Sequence, residues 1–251
     1  YFTTYLFSTV EIGRLHPDSG AVPMRFPRPF TGTALQFLLD HDGDLWWIDG
    51  GQGLGRITTG SGIEEYPVGG RGSSLGLAFG GRMAVGRDDL RLLSFAPDGS
   101  ISETTLGDYP AGHVLGPDGN LWYTTEFTDA VVRRTPQGDE TLFAVDPGSG
   151  PRPIVADRDG NLWFNEEDEH RLGRLTPQGQ LTEFAMGGAA EGAGLAADGD
   201  GSLWFARPIS QQVSRMTTAG VVTDFPVPWE SPYPCAPASA PDGSVLFVDA
   251  S

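Results

Sequence analysis

The chain has 251 residues, 39% of them apolar, with 33 acidic against 16 basic side chains and a net charge of −17. Every basic residue is arginine, and the acid excess argues against nucleic acid or an anionic membrane as partner while favouring solubility, a cationic ligand or a divalent metal such as magnesium or calcium. No apolar run approaches the roughly 18 residues of a membrane span, and Cys235, the sole cysteine, leaves no internal disulfide, so a soluble cytoplasmic or secreted protein fits equally.

In chain order, "YFTT" at Tyr1 reads as a short strand whose preceding segment is missing. Related runs follow: "DGDLWWIDG" at Asp42, the degraded "GRMAVGRDD" at Gly81, "DGNLWYTTE" at Asp118, "DGNLWFNEE" at Asp159, "DGSLWFARP" through Gly201, and "DGSVLFVDA" at Asp242. Leu45, Met83, Leu121, Leu162, Leu203 and Val245 are equivalent, spaced 38, 38, 41, 41 and 42 residues apart. A second motif trails each run, as in "EIGRLHP", "GLGRITT" and "RLGRLTP", and a third trails that, as in "IEEYPV", "LTEFAM" and "VVTDFPV".

A period near 40 residues with four β-like runs and glycine-containing turns predicts a β-propeller of four-stranded blades, and hence one domain over 1–251. The runs are named A (for example 153–156), B (162–165), C (172–175) and D (181–184). Seven B runs are present. Two B strands cannot share one place, so seven blades are expected, with six and a displaced terminal strand as the alternative. Seven copies need about 280 residues, so short pieces of the first and last blades are expected to lie outside this sequence. Trp46, Trp122, Trp163 and Trp204 recur with the period and are expected as core between blades.

The cassette "DGNLWF-x-E…GR(I/L)TP-x-G-x-(I/L)TEF" resembles the streptogramin B lyases, also called virginiamycin B lyases, over essentially the whole chain. The resemblance implies a seven-bladed propeller that opens a cyclic depsipeptide ester by elimination, using magnesium, histidines and glutamates at one mouth of the ring. The family's histidine positions fall here on Ala111, Arg152, Ala193 and Cys235. One family glutamate falls on Tyr233 and another near Asp249. The histidines are therefore not carried over, and one carboxylate is.

Turn chemistry separates the two faces. The A–B and C–D turns ("PDGN", "RDGN", "PQG") are tight and rely on glycine at positive φ. The D–A and B–C loops are longer and richer in charge, which is where a rigid scaffold positions binding groups. Candidates on that face are Glu166 and Glu167 as metal ligands or a general base, and Asp249 as a third ligand. Asp49, Arg152, Arg207, Trp229, Tyr233 and Cys235 are candidates for ligand contact, the arginines because they suit carboxylate or phosphate. Asp168, Glu169 and His170 are expected to be solvated. Side chains alternate along a strand, so Glu166 and Glu167 cannot both point at the channel.

Two functions compete. One is a monomeric propeller that binds a small molecule or a protein at the channel mouth. The alternative is a lyase or hydrolase acting on a small cyclic or peptide-like substrate through the mouth carboxylates and a divalent metal.

Overall fold

The computed structural model describes residues 9–16, 20–27, 34–40, 44–49, 53–57, 63–96, 100–125, 127–186, 193–227, 234–239 and 244–249. These form six four-stranded antiparallel sheets. Five are contiguous in sequence, with innermost strands Ala34–Leu39, Gly72–Ala78, Pro110–Leu115, Pro151–Ala156 and Ala193–Ala197. The sixth joins the two ends of the chain. Pro234–Ser239 and Val245–Asp249 supply its A and B strands, and Thr9–His16 and Gly20–Pro27 its C and D strands. Around the axis each innermost strand touches the next, and Pro234–Ser239 returns to Ala34–Leu39 to close the ring. The only helical segment among the described residues is a single 3-10 turn at Phe79–Gly81. No helix among them is long and apolar enough to cross a membrane.

The expectation of seven blades is corrected by the pairing of the termini. Val245–Asp249 hydrogen-bonds directly to Thr9–His16, with Leu15 opposite Val245 and Glu11 opposite Asp249. The last B strand thus occupies the place beside the first C strand that the sequence reading gave to Tyr1–Thr4. Those four residues lie outside the described ones.

The repeated cassette is a packing device. Trp163 is fully buried, and its indole N–H donates to Oδ2 of Asp157 at 2.9 Å. Asp157 Oδ1 also accepts from the backbone N–H groups of Asp159 and Asn161, so one carboxylate fixes both the A–B turn and the ring. The Phe184 ring lies 5.2 Å from the indole, and the Arg174 guanidinium lies 5.4 Å from its centroid. Trp46, Trp122 and Trp204 repeat this arrangement with Tyr66, Phe143 and Phe225 and with Arg56, Arg133 and Arg215. Trp163 also packs with Leu195, Leu203, Phe205 and Met216 of the following blade, so it is the wedge between two sheets.

The glycine of "LGRL" has a steric reason. Gly173 stands opposite Phe164, and a Cβ there would run into the phenyl ring. Gly55 stands in the same relation to the indole of Trp47.

Two substitutions separate the wedge from its cover. Trp163→Ala should destabilise the fold by about 3–5 kcal/mol. Arg174→Ala, which removes a cation at the ring face, should cost only about 0.5–1 kcal/mol. Urea denaturation measures both, and similar losses would contradict the assignment of the indole as the wedge.

Candidate functional site

Every A strand carries a register irregularity near its start, where it leaves the D–A loop. The breaks fall at Ala34/Gln36, Gly72/Ser74, Pro110/Gly112, Pro151/Ile154, Ala193/Leu195 and Cys235/Ala238. A bulge re-aims the side chains around it. Six at one level form a collar at the mouth, on the face with the longer loops. Ala111, Arg152, Ala193 and Cys235 all sit in this collar. The sequence reading placed them at strand starts but missed the bulges, which leave no residue signature of their own.

The charged stretch after Phe164 divides sharply. Glu166 is fully buried, whereas Glu167, Asp168, Glu169 and His170 are exposed. The loop closes with His170 at φ 57°, and Asp129 and Gln211 hold positive φ at the equivalent place in the flanking blades. Its backbone is tied to the preceding D–A loop, with Asp168 N–H donating to Ser149 O at 3.2 Å.

Glu166 points into the blade. Its Oε2 accepts from Nε of Arg171 at 3.2 Å, and Arg171 also reaches Asp146 at 3.1 Å and Glu183 at 3.2 Å. Burial pushes the Glu166 carboxyl up to about 7, the charges of Glu183 and Asp146 push the same way, and Arg171 opposes them. Glu167 points outward and pairs with Arg152 at 3.2 Å, both about two-fifths exposed. The alternation expected from the sequence thus splits the two glutamates between the blade interior and the mouth. Each has an arginine beside it.

Arg207, expected at the mouth, is buried instead. Its guanidinium donates to the carbonyl of Met186 and lies 5.2 Å from the Phe205 ring, with Asp224 at 4.0 Å. Asp49 and Asp249 end their B strands as expected, opposite Ala34 and Pro234, but their side chains and that of Cys235 lie outside the described ones. Trp229 and Tyr233 also lie outside the described residues. Among the described residues, no three His, Cys, Asp or Glu side chains converge to hold a metal ion.

His113 went unassigned in the sequence. It is almost fully buried on the third innermost strand, with Nδ1 2.8 Å from Oγ of Ser74 on the preceding one. Its ring packs against Gly76, where a Cβ would come within 3.0 Å of Nε2. Burial lowers its pKa to about 4, and interactions with the backbone of Ala84 and Gly76 oppose the shift only in part. A mid-strand histidine looks the same in sequence whether it faces solvent or a neighbouring blade.

A closed ring of four-stranded sheets defines a β-propeller, here with a collar of bulges and charged loops at one mouth. The model of the virginiamycin B lyase family matches residues 99–251, more than half of the chain, and the protein belongs to that family. A catalytically inactive virginiamycin B lyase from Staphylococcus aureus, solved with quinupristin, superposes with a TM-score of 0.74 at 23% identity, covering 97% of this chain and 96% of that one. The selenomethionine-substituted enzyme from Staphylococcus aureus gives 0.73 at 25% identity, covering 96% and 88%. The calcium-binding regucalcin of Agrobacterium tumefaciens shares the fold, at 0.66 and 21% identity over 86% and 81%. None of the curated proteins matches the chain.

Two of the buried titratable groups, His113 and Glu166, act on stability in opposite directions. His113 has a folded pKa of about 4 against 6.5 in a model peptide, so the unfolded chain binds its proton first. Stability present above pH 6.5 is therefore lost as the pH falls towards 4, by roughly 3 kcal/mol. Glu166 has a folded pKa of about 7 against 4.5, so its contribution is full below 4.5 and is lost as the pH rises through 7. Between pH 7 and 4.5, Glu166→Gln should therefore lose stability steeply on acidification, while His113→Asn should gain it. Urea midpoints across that range check the signs, and parallel slopes in the two variants would contradict them.

Proposed function

We propose that the protein is a propeller of the virginiamycin B lyase family that binds a small molecule at its collared mouth without opening it. The observation that carries this reading is the use of both glutamates by arginines, Glu166 inside the blade by Arg171 and Glu167 at the mouth by Arg152, each at 3.2 Å. The residue types at the collar support it. Ala111, Arg152, Ala193 and Cys235 stand where the resemblance places histidines, and alanine can neither accept nor donate a proton.

Glu166 and Glu167 fit a magnesium or calcium ion poorly, because Arg171 and Arg152 already stand against them, so no step is assigned to a metal. Arg152 is partly exposed in the collar, and a carboxylate or phosphate on the ligand would compete with Glu167 for its guanidinium. General acid–base groups are worth on the order of a hundred- to ten-thousand-fold each, so their loss should abolish ring opening while leaving the binding surface.

A second reading, a carbon–oxygen lyase or hydrolase, rests on Glu166. A carboxyl pushed to about 7 is poised for proton transfer at neutral pH. Its place inside the blade, against Arg171, argues for a structural cause of the shift.

Virginiamycin B incubated with the protein and magnesium should remain intact by mass spectrometry. Quinupristin, used as a binding probe, should perturb the backbone amides of 149–152 and 167–169, and Arg152→Ala should remove that perturbation. Ring opening above the protein-free control, abolished by Glu166→Gln, would overturn the binding reading and establish the second one.

A further inference from the structure

One aromatic contact lies apart from the packing between blades. On the mouth face, Tyr109 of a D–A loop and Phe127 of the adjoining B–C loop meet with ring centroids 5.5 Å apart and planes at 56°. Phe127 is 74% exposed, whereas Tyr109 is half-buried. The two loops are clamped together by Asp108. Its Oδ2 accepts from the Thr128 hydroxyl at 2.7 Å, and its Oδ1 accepts from the backbone N–H of Tyr109 at 2.7 Å. Thr128 Oγ1 lies 2.7 Å from Oγ1 of Thr125, which is fully buried. The exposed ring pair is therefore held in place by the scaffold, with a carboxylate between its two loops.

The blades show what rings of this kind receive elsewhere in the protein. The four tryptophan–aromatic pairs each carry an arginine, its guanidinium 5.1, 5.7, 5.4 and 5.8 Å from the centroid of Trp46, Trp122, Trp163 and Trp204. In two of them a turn aspartate holds the arginine, Asp44 with Arg56 and Asp200 with Arg215. Tyr109 and Phe127 repeat the rings and the aspartate. Among the described residues, however, no arginine stands over either ring. The face of an aromatic ring attracts a cation, and a guanidinium stacks on it as well. The net charge of −17 favours a positive ligand over an anionic one.

We propose that Tyr109, Phe127 and Asp108 form a rim site for a planar organic cation, a guanidinium or amidinium carried on a small molecule. The cation takes the place at this pair that arginines take on the tryptophans. A neutral ligand of the same shape gains only the apolar contact. The site uses none of Arg152, Glu166 and Glu167, so it stands or falls independently of binding at the collar.

Butylguanidinium and butylurea differ in charge and hardly in shape, which makes them the probes. Titrated into the protein at low ionic strength, butylguanidinium should shift the ring resonances of Tyr109 and Phe127 saturably. It should bind about fivefold more tightly than butylurea, the worth of an exposed cation–π contact. Phe127→Leu keeps an apolar side chain at an exposed position and should erase that preference. Asp108→Asn should weaken butylguanidinium and leave butylurea unchanged. Equal affinity for the two probes would overturn the proposal, as would a preference that survives Phe127→Leu. Shifts spread over the acidic surface, with no focus at 108–109 and 127–128, would overturn it too.

Discussion

Everything at the mouth depends on the tryptophan wedge between neighbouring blades. An indole sealed between Phe184 and Arg174 on its own blade and Leu195 and Phe205 on the next sets the distance and angle between two sheets. Repeated in four of the six blades, that spacing helps determine how far apart the innermost strands stand, and so how wide the channel is. The carboxylate of Asp157 ties the wedge to the A–B turn on the opposite face. The hard-packed face and the loop-bearing face are thus positioned by one repeated contact. The fold needs no disulfide for this, because large rings buried with a partnered N–H combine apolar area with a satisfied polar group.

On that scaffold, the arginines are shared among acids. A chain of net charge −17 has to place acids somewhere without mutual repulsion. Arg171 gathers three of them, Asp146, Glu166 and Glu183, where two blades meet. Only one of the three is fully buried, and its carboxyl is pushed up because a single guanidinium does not offset burial and two like charges. A perturbed carboxyl at a propeller mouth invites a catalytic reading. Its direction, inward and onto an arginine, points to the assembly of the blade instead.

The fold was legible because its determinants are periodic. Trp46, Trp122, Trp163 and Trp204, the aspartate-glycine turns and the glycine of "LGRL" each recur at the blade spacing, so each copy corroborates the others. Ring closure was not legible. Whether Val245–Asp249 meets Thr9–His16 depends on ring size, which the small angle between blades decides and no local pattern records. The site was legible in part. Alternation along the strand foretold that Glu166 and Glu167 would diverge, and the exposed Asp168, Glu169 and His170 followed from their place in a turn. Arg207 was misplaced because it occupies the position of Glu166 one blade on, where an inward cation finds the Met186 carbonyl and an aromatic ring. His113 was passed over because its value lies in a contact with Ser74, 39 residues away on another blade.

The central proposal is that Glu166 and Glu167 are engaged by Arg171 and Arg152 in place of a metal. Manganese(II) tests it directly as a paramagnetic substitute for magnesium, at physiological ionic strength, with backbone amide relaxation as the readout. The account predicts weak, diffuse broadening over the acidic surface and no focus at residues 150–152 or 166–171. A localised, saturable loss of signal centred on Glu166, Glu167 and Arg152 would contradict it and restore metal chemistry to the mouth.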